Sequence, residues 1–141
     1  MSEKVRRYAE GTKVPVERSR AEIERLLRRH GAGGFGLAWQ GDHARLVFEI
    51  RGRRVRFDVP APPHKEYSTV AKWEAEERRR WRALLLMLKA KLEMVAAGDA
   101  DFDQEFLAFL VLPSGQTMAQ RLLPKLEDAL SGKALPPLMG E

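Results

Sequence analysis

Three carboxylates and a cation in one stretch of the chain have the types and spacing for metal-ion chemistry. Asp42, Glu49, Arg51 and Asp58 lie in "GDHARLVFEIRGRRVRFDVP", where residues alternate in the manner of paired strands. Carboxylates and a cation on neighbouring strands are the parts of a Mg²⁺-dependent nuclease core, in which the carboxylates hold the ion and a lysine orients the attacking water. Here the cation is arginine, which stays protonated and is no substitute for a compact lysine donor. Glu49 and Asp58 are also placed to pair with Arg54 or Arg56 across strands on a solvated face. No catalytic residue is assigned on this pattern.

Other constellations fail on order or spacing. "GAGGFG" at residues 31–36 follows a helical pattern and precedes a strand, the reverse of the order that aims helix N–H groups at a phosphate. Ser2, Ser19, Ser68, Ser114 and Ser131 occupy caps, turns or ends and none sits in a nucleophile elbow. Asp99, Asp101 and Asp103 lack the glycine and terminal glutamate of a calcium loop and read as helix caps. His30, His43 and His64 are scattered, and there is no cysteine, so neither a zinc site nor a disulfide is expected. The expectation is a non-enzymatic protein with no metal or cofactor.

The remaining chemistry is that of arginine with phosphate. Arg45, Arg54 and Arg56 fall on one strand face, and Arg78, Arg79, Arg80 and Arg82 follow one another on a helix flanked by Trp73 and Trp81. Lys4, Arg6, Arg7 and Lys13 add charge near the N-terminus. Residues 1–98 carry 22 Lys+Arg against 13 Asp+Glu, while 99–141 carry 3 against 7. Such segregation suggests an anionic partner for the first two thirds, or an acidic tail folded over a basic face. Arginines of this kind supply salt-dependent affinity for a nucleic-acid backbone without sequence information. Phe48 and Phe57 share an apolar face with Leu46 and Val55, so a base-stacking platform is missing.

These side chains must be positioned by elements that the periodicity makes plain. Residues 69–97 hold Val70, Trp73, Trp81, Leu84, Leu85, Leu88, Leu92 and Val95 at helical spacing without Gly or Pro, with Ser68 or Thr69 to cap and Gly98 to stop. Glu74–Arg78 and Glu76–Arg80 are i, i+4 pairs along it. Ser19 and Glu22 read as a capping box opening a helix through His30, with Ile23, Leu26 and Leu27 inward. Phe35, Leu37 and Trp39, then Leu46, Phe48 and Ile50, then Val55, Phe57 and Val59 alternate with polar or small residues across turns at Gly41-Asp42 and Arg51-Gly52. After Gly98 a short helix carries Phe102 and Phe106. A last helix with Met118, Leu122, Leu126 and Leu130 on one side is expected to kink or restart at Pro124, and Leu135, Leu138 and Met139 are expected to dock on the core.

The fold class expected is α+β: a three-stranded antiparallel meander packed on one long central helix, with an N-terminal helix and two C-terminal helices. Residues 1–16 read as a flexible basic arm and 17–141 as a single domain. Hydrophobic residues at 44% and charged residues at 32%, no long apolar run and no apolar leader point to a cytoplasmic protein without membrane contact.

The blocks "VPVERSRAEIERLLRRHGA", "ARLVFEIRGRRVRFDVP", "RRRWRALLLMLKAKLEMV", "FLAFLVLPSGQT" and "LPPLM" together resemble a family of small proteins of tailed phages and prophages with no assigned activity. The resemblance implies an accessory role in phage DNA metabolism or host takeover, in the host cell cytoplasm, and carries over no catalytic residue. The leading expectation is nucleic-acid binding through the basic sheet face and helix arginines. A protein-binding module that modifies a host machine such as RNA polymerase is the alternative, and a Mg²⁺-dependent nuclease the remote one.

Overall fold

The computed structural model describes residues 15–140; the basic arm expected over 1–16 lies, except for its last two residues, outside them. Elements follow in the order α1 (Val16–Arg29), β1 (Gly34–Gln40), β2 (His43–Ile50), β3 (Arg53–Pro60), α2 (Val70–Ala96), α3 (Phe102–Phe106), α4 (Met118–Leu122) and α5 (Leu126–Leu130). Single 3₁₀ turns occur at His64–Glu66, Leu107–Phe109 and Leu123–Lys125.

The strands form an antiparallel sheet of order β1-β2-β3, with Phe35 opposite Phe48, Leu37 opposite Leu46, and Leu46 opposite Phe57. The β2–β3 turn is tight enough to require positive φ at two successive residues, 53° at Arg51 and 73° at Gly52, which matches the strands' right-handed twist. Alternation puts Ala44, Leu46, Phe48, Ile50, Val55 and Phe57 on the buried face. Against that face pack Ile23, Leu26 and Leu27 of α1, Trp81, Leu85, Leu88 and Leu92 of α2, and Phe102 and Phe106 of α3. A three-stranded sheet and two helices are each marginal alone, and shared burial of their apolar faces is what holds them.

Helix α1 lies beside α2 in the same direction: Glu17 faces Glu77, Arg20 sits over the Trp81 ring at 5.3 Å, Glu22 pairs with Arg82, and His30 comes near Glu93. The residue on α2 level with a given residue of α1 is thus about 60 positions on.

The ends of the elements mostly follow their local chemistry. Thr69 accepts from the Lys72 N–H at the start of α2, Asp101 from Gln104 at α3, and Thr117 forms a full capping box with Gln120 at α4. Gly31 and Gly98 end α1 and α2 with φ of 92° and 81°. The 3₁₀ turn at Leu123–Lys125, which contains Pro124, is the expected restart. Ser19 is a correction: α1 begins three residues earlier, after Pro15, and Ser19 is a buried helix residue whose Oγ has no partner. Apolar contact of that turn with the core overrides the cap.

The C-terminal tail is a second correction. From Arg121 to Gly140 every residue is exposed, and Leu135, Leu138 and Met139, expected to dock, are 83%, 103% and 97% exposed. The core they would cover is already closed by α3 and the turn after it, where Phe109 stacks on Phe57 at 4.1 Å. No helix among the described residues is long and apolar enough to cross a membrane.

Candidate nucleic-acid interface

The sheet arginines lie on the face opposite the core, and each is engaged. Arg45 donates from Nε to Asp58 at 2.9 Å, Arg54 from Nη2 to Glu49 at 3.3 Å, and Arg56 to the Gly115 carbonyl at 2.8 Å and Gln120 Oε1 at 2.9 Å. Register explains the first two, since Arg45 is directly opposite Asp58 and Glu49 opposite Arg54. Arg56 ties the Leu112–Thr117 hairpin to the sheet edge, where the Val111 N–H also bonds the Arg54 carbonyl. Among the described side chains of β1, the same outer face carries Gly34, Gly36 and Ala38. A face so paired and so bare has little positive field to spend on an anion.

The arginine run of α2 divides by helix geometry, since successive residues turn about 100° apart. Arg79 and Arg80 turn inward and clasp Glu76, which is 4% exposed, at 2.6 and 3.4 Å. Arg80 also donates to the Pro60 carbonyl at 2.8 Å, fastening α2 to the end of β3. A carboxylate at that depth is retained because two guanidiniums compensate it, so these arginines are structural. The i, i+4 pair Glu76–Arg80 forms as expected, whereas Arg78 has no ion pair with Glu74 and its buried Nε has no partner. Trp81 is 1% exposed beneath Arg20, which removes it as a contact residue for any partner. Trp73 is half-buried, stacked on His64 at 4.5 Å with its indole N–H given to the Pro62 carbonyl, and it braces the proline-rich connection.

The structure instead gathers an unneutralised positive surface on the far side of the helix pair. A groove of about 400 Å³ between α1 and α2 is lined by Arg25, Arg29, Arg82 and Lys89, with Glu22 among them and Leu26, Leu85 and Leu86 forming its floor. Arg25, Arg29 and Lys89 form no ion pair with any described residue, while Arg82 donates to Glu22 at 2.9 Å. Arg18 reaches the same carboxylate at 3.4 Å. Among the described residues, Arg82 is the one arginine singled out by sequence that lines this groove. The missed residues, Arg25 and Arg29, were legible as the polar stripe of α1; nothing local showed that α2 would present Arg82 and Lys89 beside them.

The nuclease constellation comes apart. Asp42 and Asp58 flank His43, at 3.2 Å from its Nδ1 and 3.9 Å from its Nε2, and hydrogen bonding to His43 holds the Asp42 carboxyl below the usual range. Glu49 and Arg51 are at the other end of β2, Arg51 lying over the Phe102 ring at 5.7 Å. Seven residues of strand separate Asp42 from Glu49, about 23 Å, so one ion cannot bridge them. Among the described residues no group of three or more His, Asp or Glu side chains is arranged to hold a metal.

No family model, curated protein or solved structure matches the chain.

Proposed function

We propose that the chain is a non-enzymatic accessory factor that binds the phosphate backbone of nucleic acid through the α1–α2 groove. The observation that carries this reading is the set of exposed cations, Arg25, Arg29 and Lys89, which have no ion pair with a described residue and line one groove together with Arg82 and its partner Glu22. Two packed helices hold the backbones of these cations on one groove, and counterion release supplies the free energy. The block order that resembles small phage proteins supports a role in phage DNA metabolism.

Titration of fluorescent oligonucleotides at about 50 and 200 mM salt tests the reading, since electrostatic affinity falls steeply over that interval. Binding that weakens with salt, and that the triple variant Arg25→Ala, Arg29→Ala, Lys89→Ala abolishes while Arg45→Ala leaves it intact, is expected. An absence of binding at the lower salt would sink the proposal.

A different observation favours a second reading, a module that attaches to a host protein machine such as RNA polymerase. Leu122, Leu123, Leu126, Leu130, Leu135, Leu138 and Met139 are all exposed along one C-terminal run, an apolar surface of the kind that partners cover. It predicts one stable protein partner that survives nuclease treatment and is lost in the Leu126→Asp, Leu130→Asp variant.

A further inference from the structure

Resting on the reading of the α1–α2 groove as a phosphate site, we infer that the unit it takes is a short run of two or three linked phosphates, held between Arg25, Arg29 and Lys89. All three cations line the one cavity of about 400 Å³. Arg25 and Arg29 are four residues apart on α1, about 6 Å along the axis at 1.5 Å per residue, and so share a face of the helix. Lys89 stands across from them on α2, level with Arg29 by the register that Glu22 and Arg82 set. The three cations therefore gather within about one helical turn, on both walls of the groove.

Their charge is not cancelled. Among the described residues Glu22 is the one carboxylate lining the groove, and it is already shared by Arg82 at 2.9 Å and Arg18 at 3.4 Å. Glu24 is given to Arg28 at 3.1 Å, and Glu93, one turn beyond Lys89, lies by His30. The floor of Leu26, Leu85 and Leu86 offers no side-chain donor or acceptor to compete for an anion.

These features select among anions. A single orthophosphate is too small to meet cations on both walls at once, whereas linked phosphates carry several negative charges over a length that reaches from one wall to the other. The Arg25 and Arg29 guanidiniums can each fork onto two oxygens of a phosphate, and the Lys89 ammonium adds a compact point charge. No aromatic ring lines the groove, so a base attached to the phosphates gains no stacking. The same phosphate unit occurs in a nucleic-acid backbone, in a triphosphate end and in free oligophosphate. Contact with about three phosphates also sets a shallow salt dependence, a slope near −2 on a single strand at about 0.7 per phosphate.

Competition tests this. The full chain, in EDTA with a labelled DNA strand read by fluorescence anisotropy, is titrated with tripolyphosphate, orthophosphate and tetraglutamate. Tripolyphosphate should displace the strand, orthophosphate should need a concentration at least ~10-fold higher, and tetraglutamate should leave the strand bound. Calorimetry with tripolyphosphate alone should show one site per chain, weakened ~10-fold by each of Arg25→Ala, Arg29→Ala and Lys89→Ala and unchanged by Arg45→Ala. Circular dichroism checks that each variant keeps the fold. A strand that binds and is not displaced by tripolyphosphate overturns the inference and leaves the nucleic-acid reading standing. Displacement by tetraglutamate as readily as by tripolyphosphate also overturns it, in favour of an acidic peptide. Binding of tripolyphosphate without binding of the strand supports the inference and overturns the nucleic-acid reading. Binding of neither overturns both.

Discussion

Arg82 donates from Nη1 to the Glu22 carboxylate at 2.9 Å across the seam between two helices that run the same way. This pair fixes the register that brings Arg29 level with Lys89 and Arg18 level with Arg78. It also places a negative charge at the centre of an otherwise positive groove. The two side chains are 27% and 28% exposed, so the pair is reachable by solvent and by a ligand.

Glu22→Gln should therefore raise affinity for nucleic acid. It removes repulsion toward phosphate and frees Arg82 and Arg18, so the slope of log affinity against log salt should steepen by about one. The stability cost should be about 1 kcal/mol for a pair that solvent still reaches. Anisotropy at four salt concentrations reads the slope; a weaker complex would show that Glu22 positions the ligand and does not oppose it.

Glu76 should behave in the opposite way, as a structural residue. Glu76→Ala leaves the Arg79 and Arg80 guanidiniums, 18% and 23% exposed, without their shared carboxylate, at a cost of about 3–5 kcal/mol by analogy with broken buried pairs. Urea denaturation measures this. A loss below about 1 kcal/mol would mean that water or other groups take over the pairing.

The tail and the core should differ sharply under the same truncation. Leu88 is fully buried beneath the sheet, so Leu88→Ala should cost about 3–5 kcal/mol through lost burial and the cavity left. Leu135→Ala removes a side chain that is 83% exposed and should change stability by less than about 0.5 kcal/mol. Equal effects on the two thermal midpoints would contradict the open position of the tail.

His30 should make stability fall in mild acid. Burial lowers its pKa first, and Arg29 lowers it further against an opposing contribution from Glu93. With the folded pKa below the ordinary value of 6.5, the unfolded chain binds the proton more readily. Stability from this group is full above pH 6.5 and is lost as pH falls through the folded pKa. Urea midpoints at pH 7.5 and 5.5 should differ less in His30→Gln than in the parent.

Glu77 carries the reverse sign. Burial raises its carboxyl pKa, and Glu17 and Glu74 add to the shift against Arg20. Its contribution is present below the ordinary value of 4.5 and lost as pH rises through the folded pKa. Glu77→Gln should accordingly stabilise the protein at pH 7 by a few tenths of a kcal/mol and give no gain near pH 4. Thermal unfolding at the two pH values decides it.

The sequence by itself determined every long element, because their signals are local and agree with one another. The alternation around Gly41-Asp42 and Arg51-Gly52 can be satisfied only by a meander with Leu46, Phe48, Val55 and Phe57 inward, and an uninterrupted helical stripe from Val70 to Val95 has no other use than to cover that face. Caps at Thr69 and Asp101 were legible because a side chain and an N–H two or three residues on suffice to make them. The Ser19 cap was misread because the choice between cap and helix interior there depends on burial against distant residues.

Charge was the opposite case. Sequence located the arginines and the near partners Glu76 for Arg80 and Glu49 for Arg54, but not the rest, since an arginine's availability depends on what lies opposite it in space. Tertiary structure alone decided that Arg45 meets Asp58, that Arg56 meets a hairpin 59 residues later, that Glu76 is buried beneath its arginines, and that Trp81 is core. It alone brought α1 alongside α2 in parallel, so that Arg25 and Arg29 face Arg82 and Lys89 over one groove. Helix periodicity is written in neighbours three and four apart; the sign of a surface is the sum over elements that only packing sets side by side.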